Sequence, residues 1–307
     1  MKTESRLEKV FAAGHMAVTS EVGPPRGCDV DIVEKKANMI KDHVDGINIT
    51  DNQTAMVRMS SIAGAVIVKN MGLDPIIQMV ARDRNRLAMQ ADIIGAYSLG
   101  INTMLCLSGD HPKFGDHPTA KAVYDVDSVN MIKMVTDMRD TGKFQGGADI
   151  KMPPKMFVGA AANPFADPFE LRVARLAKKA KAGVDFIQTQ CIFNMDKFET
   201  WMKGVCDRGL DKEVKILAGI TPMKSVGMAR YMKNKVPGMD VPDEVIDRLA
   251  GVSKEQQPEE GIKMAIEQME RMKEIPGLAG FHIMAIEWEE RVAEIVEGAG
   301  LYPRPQV

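Results

Sequence analysis

Polar and apolar positions along this chain follow two periods in turn. Short apolar or β-branched runs bounded by turn residues read as strands: Ala17–Val22, Gly46–Asp51, Pro75–Val80, the run from Asn102 that stops at Ser108-Gly109-Asp110, Met156–Ala162, Phe186–Phe193, Lys215–Thr221 and Gly280–Ile286. Between them lie stretches with helical spacing: Asp31–His43, Ala55–Asn70, Arg84–Leu99, Asp127–Arg139, Pro168–Ala182, Lys197–Asp207, Lys224–Lys233 and Glu289–Gly298. Strand starts recur at roughly 27 to 30 residues, the length of one βα unit, apart from two intervals about twice as long. Eight such units predict an α/β fold, a (β/α)8 TIM barrel, as one domain over residues 1–307 with residues 1–15 as an N-terminal helical extension.

The two long intervals carry their own information. The first, Gly109 to Lys155, places a loop rich in Gly, Pro and His before its helix, and long loops at the C-terminal rim of a barrel build active sites. In the second, after Thr221, the turn residues Val236–Asp243 and Lys254–Glu260 separate extra helices expected before the last strand, covering one side or one end. An open doubly wound sheet is the rival architecture, but no Gly-x-Gly-x-x-Gly follows the first strand.

Composition narrows the function. With 45% hydrophobic and 27% charged residues the chain can bury a large core, and 42 acidic against 40 basic residues spread along it leave no electrostatic footprint for nucleic acid or an anionic membrane. A small molecule is the expected partner. The charged N-terminus lacks a signal-peptide core and no apolar run reaches spanning length, so a cytoplasmic location is expected. Cys28, Cys106, Cys191 and Cys206 form no Cys-x-x-Cys pair, so no metal or iron–sulfur site within the chain is expected.

In a parallel barrel the chemistry stands at the C-terminal ends of the strands. Collected there are Glu21, Thr50, Asp51, Asn52, Gln78, Arg82, Asp83, Asp110, Asn163, Gln188, Gln190, Thr221, His282 and Glu287. This ring of amides, hydroxyls and separated carboxylates suits a flat heterocycle better than a sugar phosphate. It shows neither a nucleophile–His–acid order nor metal-ligand spacing. Arg82 in Arg-Asp-Arg-Asn-Arg86 reads equally as part of the site and as a helix-entry ion cluster, and His282 as a buried strand histidine.

Several of these segments carry a resemblance. Ser20-Glu21-Val-Gly-Pro-Pro-Arg26, Leu107-Ser-Gly-Asp110-His-Pro112, Tyr124-Asp-Val-Asp127, Lys179 four before Gly183, Thr189-Gln190 and Gly280-Phe-His282 follow one another as do the motifs of methylenetetrahydrofolate reductases, from about Thr19 to Leu301. The resemblance implies a flavoprotein oxidoreductase of one-carbon metabolism that reduces the bridge of 5,10-methylenetetrahydrofolate to a 5-methyl group by hydride transfer from flavin N5. It places the ring-opening acid on Glu21, and the chemistry needs one, because an N5-iminium must form before it can accept hydride. It places Gly109 and Asp110 between flavin and pterin, where a carboxylate favours the cationic iminium. It gives Gln190 contact with pterin and flavin, with Gln78 as a further substrate-side group. It assigns Thr50, Tyr124, Asp125, Ala160 and Lys179 to the flavin, which is FAD or FMN.

The chain also departs from that pattern. Val226 stands near an aromatic position that stacks in NADH-using members, Gln78 replaces a usual His, and Glu287-Trp288-Glu289 replaces an Asn-Arg type sequence. These changes resemble the short reductase subunits of anaerobic bacteria, which work with an iron–sulfur and zinc-containing partner. The implied electron source is therefore either NAD(P)H or such a partner subunit, and the chain is expected to act as an oligomer or complex subunit. The alternative class is a non-redox pterin-binding barrel, such as a methyltetrahydrofolate:corrinoid methyltransferase domain, which has no need of the long loop after the fourth strand.

Overall fold

The computed structural model describes residues 1–307. Eight strands, β1 (Ala17–Val22), β2 (Gly46–Ile49), β3 (Pro75–Val80), β4 (Thr103–Leu107), β5 (Phe157–Ala162), β6 (Phe186–Cys191), β7 (Lys215–Ile220) and β8 (Leu278–Ile283), pair in parallel in sequence order and close β8 onto β1. The fold is a (β/α)8 barrel, as the spacing predicts.

Around it run α1 (Arg6–Ala12), α2 (Val30–Ile40), α3 (Ser61–Asn70), α4 (Arg86–Ser98), α5 (Ser128–Asp140), α6 (Leu171–Lys181), α7 (Met195–Asp207), α8 (Leu210–Glu213), α9 (Val226–Lys235), α10 (Asp243–Ala250), α11 (Gln257–Lys273) and α12 (Val292–Gly298). Side-chain caps start many of them: Asp29, Ser60, Asn85, Asp127, Asn194 and Ser225 each accept a backbone N–H of the following turn. The extra helices foreseen before the last strand are α10 and α11. The second closes against the loop after β7, where a Cβ on Gly261 would lie 1.8 Å from the Met223 carbonyl oxygen.

Strand residues alternate between two environments, and that alternation makes the site. Outward residues such as Val18, Ile49, Ile77, Cys106, Ala160, Ile187 and Phe281 join the large core between sheet and helices. Inward residues form tiers. At the N-terminal end Ala17, Ile76, Leu105, Phe157, Phe186 and Leu217 pack with Leu7, Val10 and Phe11 of α1, which plugs the barrel floor. The Phe157 and Phe186 rings stack at 5.3 Å, and Phe186 fills the space left by Gly159, where a Cβ would come within 2.3 Å of its ring. Above this apolar floor the inward positions turn polar: Thr19, Asn48, Gln188 and His282, all buried. Above them, at the C-terminal mouth, come Glu21, Thr50, Gln78 and Gln190.

Among the boundaries that depart from the sequence reading, such as β6 ending at Cys191 and β8 running from Leu278 to Ile283, two shape the rim. The helix expected from Ala55 begins at Ser61, because residues 52–60 form a rim loop in which Asn52, Thr54 and Ala55 take positive φ. The second strand stops at Ile49 rather than Asp51, because Asp51 turns its carboxylate to the Val80 N–H and to Arg84.

Candidate active site

Five non-glycine residues have positive φ, and all five stand in loops after strands: Asn52, Thr54 and Ala55 after β2, Tyr124 after β4 and Glu287 after β8. Such backbone costs about 1–3 kcal/mol per residue and persists only where surroundings enforce it, commonly at functional sites. The C-terminal mouth is thus the strained end of the barrel.

Arg82 anchors this end on the β2–β4 side. Its buried guanidinium forms a fork with Asp83 at 2.7 Å on each arm, donates to the Asp110 carbonyl at 3.1 Å, and donates to the Asn52 carbonyl at 3.2 Å. One side chain thereby ties together the loops after β2, β3 and β4. Arg84 pairs with the buried Asp51 at 2.7 Å and with Asp92 at 2.9 Å, and Arg86 forks onto Asp125. The helix-entry cluster reading of this arginine run holds, and the cluster also sets the rim.

Gly109 is required where these loops meet. Its φ is +83°, and a Cβ would lie 2.9 Å from Val80 Cβ. It leaves Asp110 exposed at the mouth, and its carbonyl accepts a 3.2 Å hydrogen bond from the Tyr124 hydroxyl. Opposite, the loops after β2 and β4 touch so closely that a Cβ on Gly115 would meet the Ala55 carbonyl oxygen at 1.8 Å.

Glu21 points inward from the end of β1, with 12% of its side chain exposed. Burial pushes its carboxyl up to about 7, the charge of Glu289 adds to that, and Lys36 opposes it. Lys36 of α2 is itself engaged at 2.8 Å with both Glu287 and the buried Glu289. One tier down, His282 Nε2 lies 4.0 Å from Glu21 Oε2, and burial pushes the imidazole down to about 3, so the ring is neutral and no ion pair forms. The expectation of a buried strand histidine holds for its environment.

Gln190 and Gln78 are half-buried at the mouth, on inward positions of β6 and β3. The Thr50 hydroxyl is buried with no hydrogen-bond partner, a cost of about 1–3 kcal/mol that a bound polar atom would relieve. Lys179 is buried on α6, donates to the Ala161 carbonyl, and is drawn down to about 8 by burial, with Arg175 adding. Asp125, held down to about 2 by Arg86, lines an open cleft of about 580 Å3 with Asn85, Arg86, Gln90, Val123 and Gln145.

The structure does not gather every expected residue. Ala160 is fully buried with its methyl in the helix-facing core, so only its backbone could serve a ligand at the mouth. Asp51, Asn163 and Thr221 are spent on structure: Asn163 caps Phe165 and Ala166 and holds Gly238, and Thr221 bonds the Cys191 thiol. Only residues 109–127 of the first long interval lie in the loop after β4. The stretch after α5 returns through a bridge between Lys143 and Asp149, and the Gln145 N–H donates to Gln90. Sequence reasoning passed over Thr19, Asn48, Lys36 and Glu289. The first two could have been found by extending strand alternation one step inward, whereas nothing in the sequence pairs Lys36 with Glu289. No three His, Cys, Asp or Glu side chains converge in a way that could hold a metal ion, and no helix is long and apolar enough to cross a membrane.

The family model described as methylenetetrahydrofolate reductase matches residues 6–300. The chain is 25% identical to methylenetetrahydrofolate reductase 2 of Schizosaccharomyces pombe over 67% of this chain and 32% of that protein. It is 21% identical to the probable methylenetetrahydrofolate reductase (NADPH) of Caenorhabditis elegans over 80% of this chain and 35% of that protein. The chain therefore spans about one-third of the length of these curated relatives. Among solved structures, an uncharacterized protein from Clostridium thermocellum described as binding two copies of 5-methyl-5,6,7,8-tetrahydrofolic acid superposes with a TM-score of 0.61 at 15% identity, covering 96% of this chain and 98% of that one. At that identity the likeness shows a shared fold.

Proposed function

The chain belongs to the methylenetetrahydrofolate reductase family, and from that premise we propose that it reduces 5,10-methylenetetrahydrofolate to 5-methyltetrahydrofolate with a bound flavin. The observation that carries this reading is Glu21, an inward carboxyl at the mouth that keeps its proton to about pH 7 while remaining open to a ligand. Ring opening of the substrate needs such a group, because expulsion of N10 from the imidazolidine ring requires a proton at that nitrogen before N5 can carry the iminium. A carboxyl near its ordinary value would be ionised in neutral solution and could not donate.

The remaining residues take roles that follow from position. Gln190 and Gln78 each offer a donor and an acceptor to a pterin edge. Asp110, exposed on a loop held from below by Arg82, brings a negative charge to the mouth that favours a cationic substrate intermediate. The residues present fit a flavin: the unpartnered Thr50 hydroxyl, Tyr124 at the hinge of the β4 loop, the buried Lys179 and the Asp125 cleft lie along the β2, β4 and β5 side of the mouth. When bound, that flavin supplies the hydride. The folate named for the C. thermocellum neighbour supports a folate pocket in a barrel of this shape.

The test is direct. Purified protein should be yellow, and chromatography of the extracted cofactor should identify FAD or FMN. Anaerobic mixing with NADH, NADPH and a reduced viologen in turn should bleach it with at least one donor, and methylenetetrahydrofolate should restore the colour. Bleaching by viologen alone identifies a chain fed by a partner subunit. Protein lacking flavin absorbance and extractable flavin overturns the reading in favour of a non-redox pterin barrel.

A further inference from the structure

A continuous buried polar chain crosses the barrel beneath Glu21. Asn48 of β2 and Gln188 of β6 join by a reciprocal amide pair: Asn48 Nδ2 donates to Gln188 Oε1 at 2.7 Å, and Gln188 Nε2 donates to Asn48 Oδ1 at 3.1 Å. The second proton on Gln188 Nε2 goes to Thr19 Oγ1 at 3.1 Å. Thr19 Oγ1 also lies 2.9 Å from His282 Nδ1, and beyond the ring His282 Nε2 faces Glu21 Oε2 at 4.0 Å. All four residues below Glu21 are at most 3% exposed. The aromatic and aliphatic floor lies beneath them, and this buried polar tier ends on the carboxyl proposed as the acid.

Counting protons gives the chain a direction. Both amide protons of Gln188 are committed, one to Asn48 and one to Thr19, so the Thr19 oxygen acts as an acceptor on that side. Its own proton then needs an acceptor, and the choices are His282 Nδ1 at 2.9 Å and the Phe281 carbonyl at 3.5 Å. The shorter contact wins. With that choice His282 Nδ1 is the acceptor and the single proton of the neutral ring lies on Nε2, on the side that faces Glu21; the opposite tautomer would need the Thr19 hydroxyl to turn to the Phe281 carbonyl instead.

We propose that His282 is a positioning residue for Glu21: the Asn48–Gln188–Thr19 chain fixes it as the Nε2–H tautomer, and that N–H receives the carboxylate left when Glu21 gives its proton to the substrate nitrogen. The inference rests on the acid role proposed for Glu21. In the resting state a separation of 4.0 Å is too long for a hydrogen bond, so the donor is held in reserve. Proton donation breaks the Glu21 O–H bond, forms the substrate N–H bond and leaves a negative oxygen that the Nε2–H can approach by a small side-chain rotation. A neutral donor suits this task. An imidazolium at the same distance would favour the carboxylate and leave Glu21 ionised, its proton lost to solvent, before substrate arrives, and burial prevents that by keeping the ring uncharged. The other groups that face Glu21 are Glu289 and Lys36 beside it and the Cys191 thiol from β6, which burial pushes up to about 11 and so keeps protonated. None of these can donate to the carboxylate as a neutral N–H does.

Two measurements on the full, flavin-loaded chain test this. Ring nitrogen shifts of 15N-histidine-labelled protein, read without substrate, should show His282 with Nδ1 bare and Nε2 protonated; a proton on Nδ1 overturns the proposal. In Thr19→Val, which keeps the shape and removes the hydroxyl, the ring should lose that tautomer preference. Reoxidation of the reduced flavin by methylenetetrahydrofolate should slow about tenfold and its alkaline limb should move to higher pH, because the carboxylate has lost a stabilising donor. Flavin reduction by the same donor should be unchanged, and Thr19→Ser should restore both rate and profile. Unchanged reoxidation and an unmoved limb in Thr19→Val overturn the proposal even if the wild type is a good reductase. A wild type that folate never reoxidises overturns the reductase reading and this role with it, and is told apart because the tautomer is read independently of turnover.

Discussion

The raised Glu21 carboxyl has a consequence for stability that can be measured without substrate. Burial lifts it from 4.5 to about 7, so the folded chain holds this proton more tightly than the unfolded chain does. The stabilising contribution of a group shifted upward is complete below its unfolded value and is lost as pH rises through its folded value. At about 1.4 kcal/mol per pH unit the whole loss is about 3 kcal/mol, of which about 2 kcal/mol falls between roughly pH 5.5 and 8.5. Glu21→Gln keeps the size and polarity of the side chain but cannot ionise, so the variant should escape this loss. With 307 residues and an unfolding entropy near 2.1 cal/mol/K per residue, about 2 kcal/mol corresponds to a Tm difference of about 3 °C. Melting both proteins across that pH range by circular dichroism should therefore show the variant gaining on the wild type as pH rises. Parallel curves would refute the argument that burial holds the proton. In the same variant the flavin should still be reduced, and its reoxidation by methylenetetrahydrofolate should stop.

Three further outcomes are expected. Asp110→Asn should slow folate reduction on the order of tenfold and slow flavin reduction less, as read by separate half-reactions; the reverse order would remove the charge argument. Thr50→Val should stabilise the flavin-free protein by about 1 kcal/mol, by removing a buried hydroxyl without a partner, while weakening flavin binding several-fold. Titration of the apoprotein with FAD and FMN checks it, and unchanged affinity would mean that the flavin does not reach this hydroxyl. Arg82→Lys should cost about 2–3 kcal/mol in denaturant unfolding, because one ammonium cannot replace a fork to Asp83 together with donors to the Asn52 and Asp110 carbonyls. Loss of flavin should accompany it as the three loops part.

Most of the fold was legible because a parallel barrel writes itself locally. β1 and β3 are bounded as the runs Ala17–Val22 and Pro75–Val80 predict, since β-branched runs between turn residues are a nearest-neighbour signal. The rim was legible by the same logic: once strand ends are known, Glu21, Thr50, Gln78 and Gln190 follow from alternation. The loop after β2 was not, because Ala55–Ser60 has helical spacing but is held in strained turns by contacts with Gly115 and Arg82 from distant loops. Asp51 and Asn163 looked like site residues for the same reason: strand-end position reveals that a polar group is at the rim, but not whether a neighbouring loop has already claimed its hydrogen bonds.

The number and order of the units, the polar inventory of the mouth and the succession of motifs that matches one family can be read along the chain. All of these are properties of residues near one another in the chain. The state of those groups was decided by the closed barrel. Glu21 and His282 are separated by most of the length of the chain and meet only because β8 pairs with β1, setting Thr19 opposite His282. The burial that keeps one protonated and the other neutral comes from that closure, and so does the amide chain beneath them, whose members lie on β1, β2, β6 and β8. A carboxylate and an imidazole read in isolation have ordinary affinities for protons. Their affinities here are set by how little water the barrel leaves around them, and no local stretch of sequence records that.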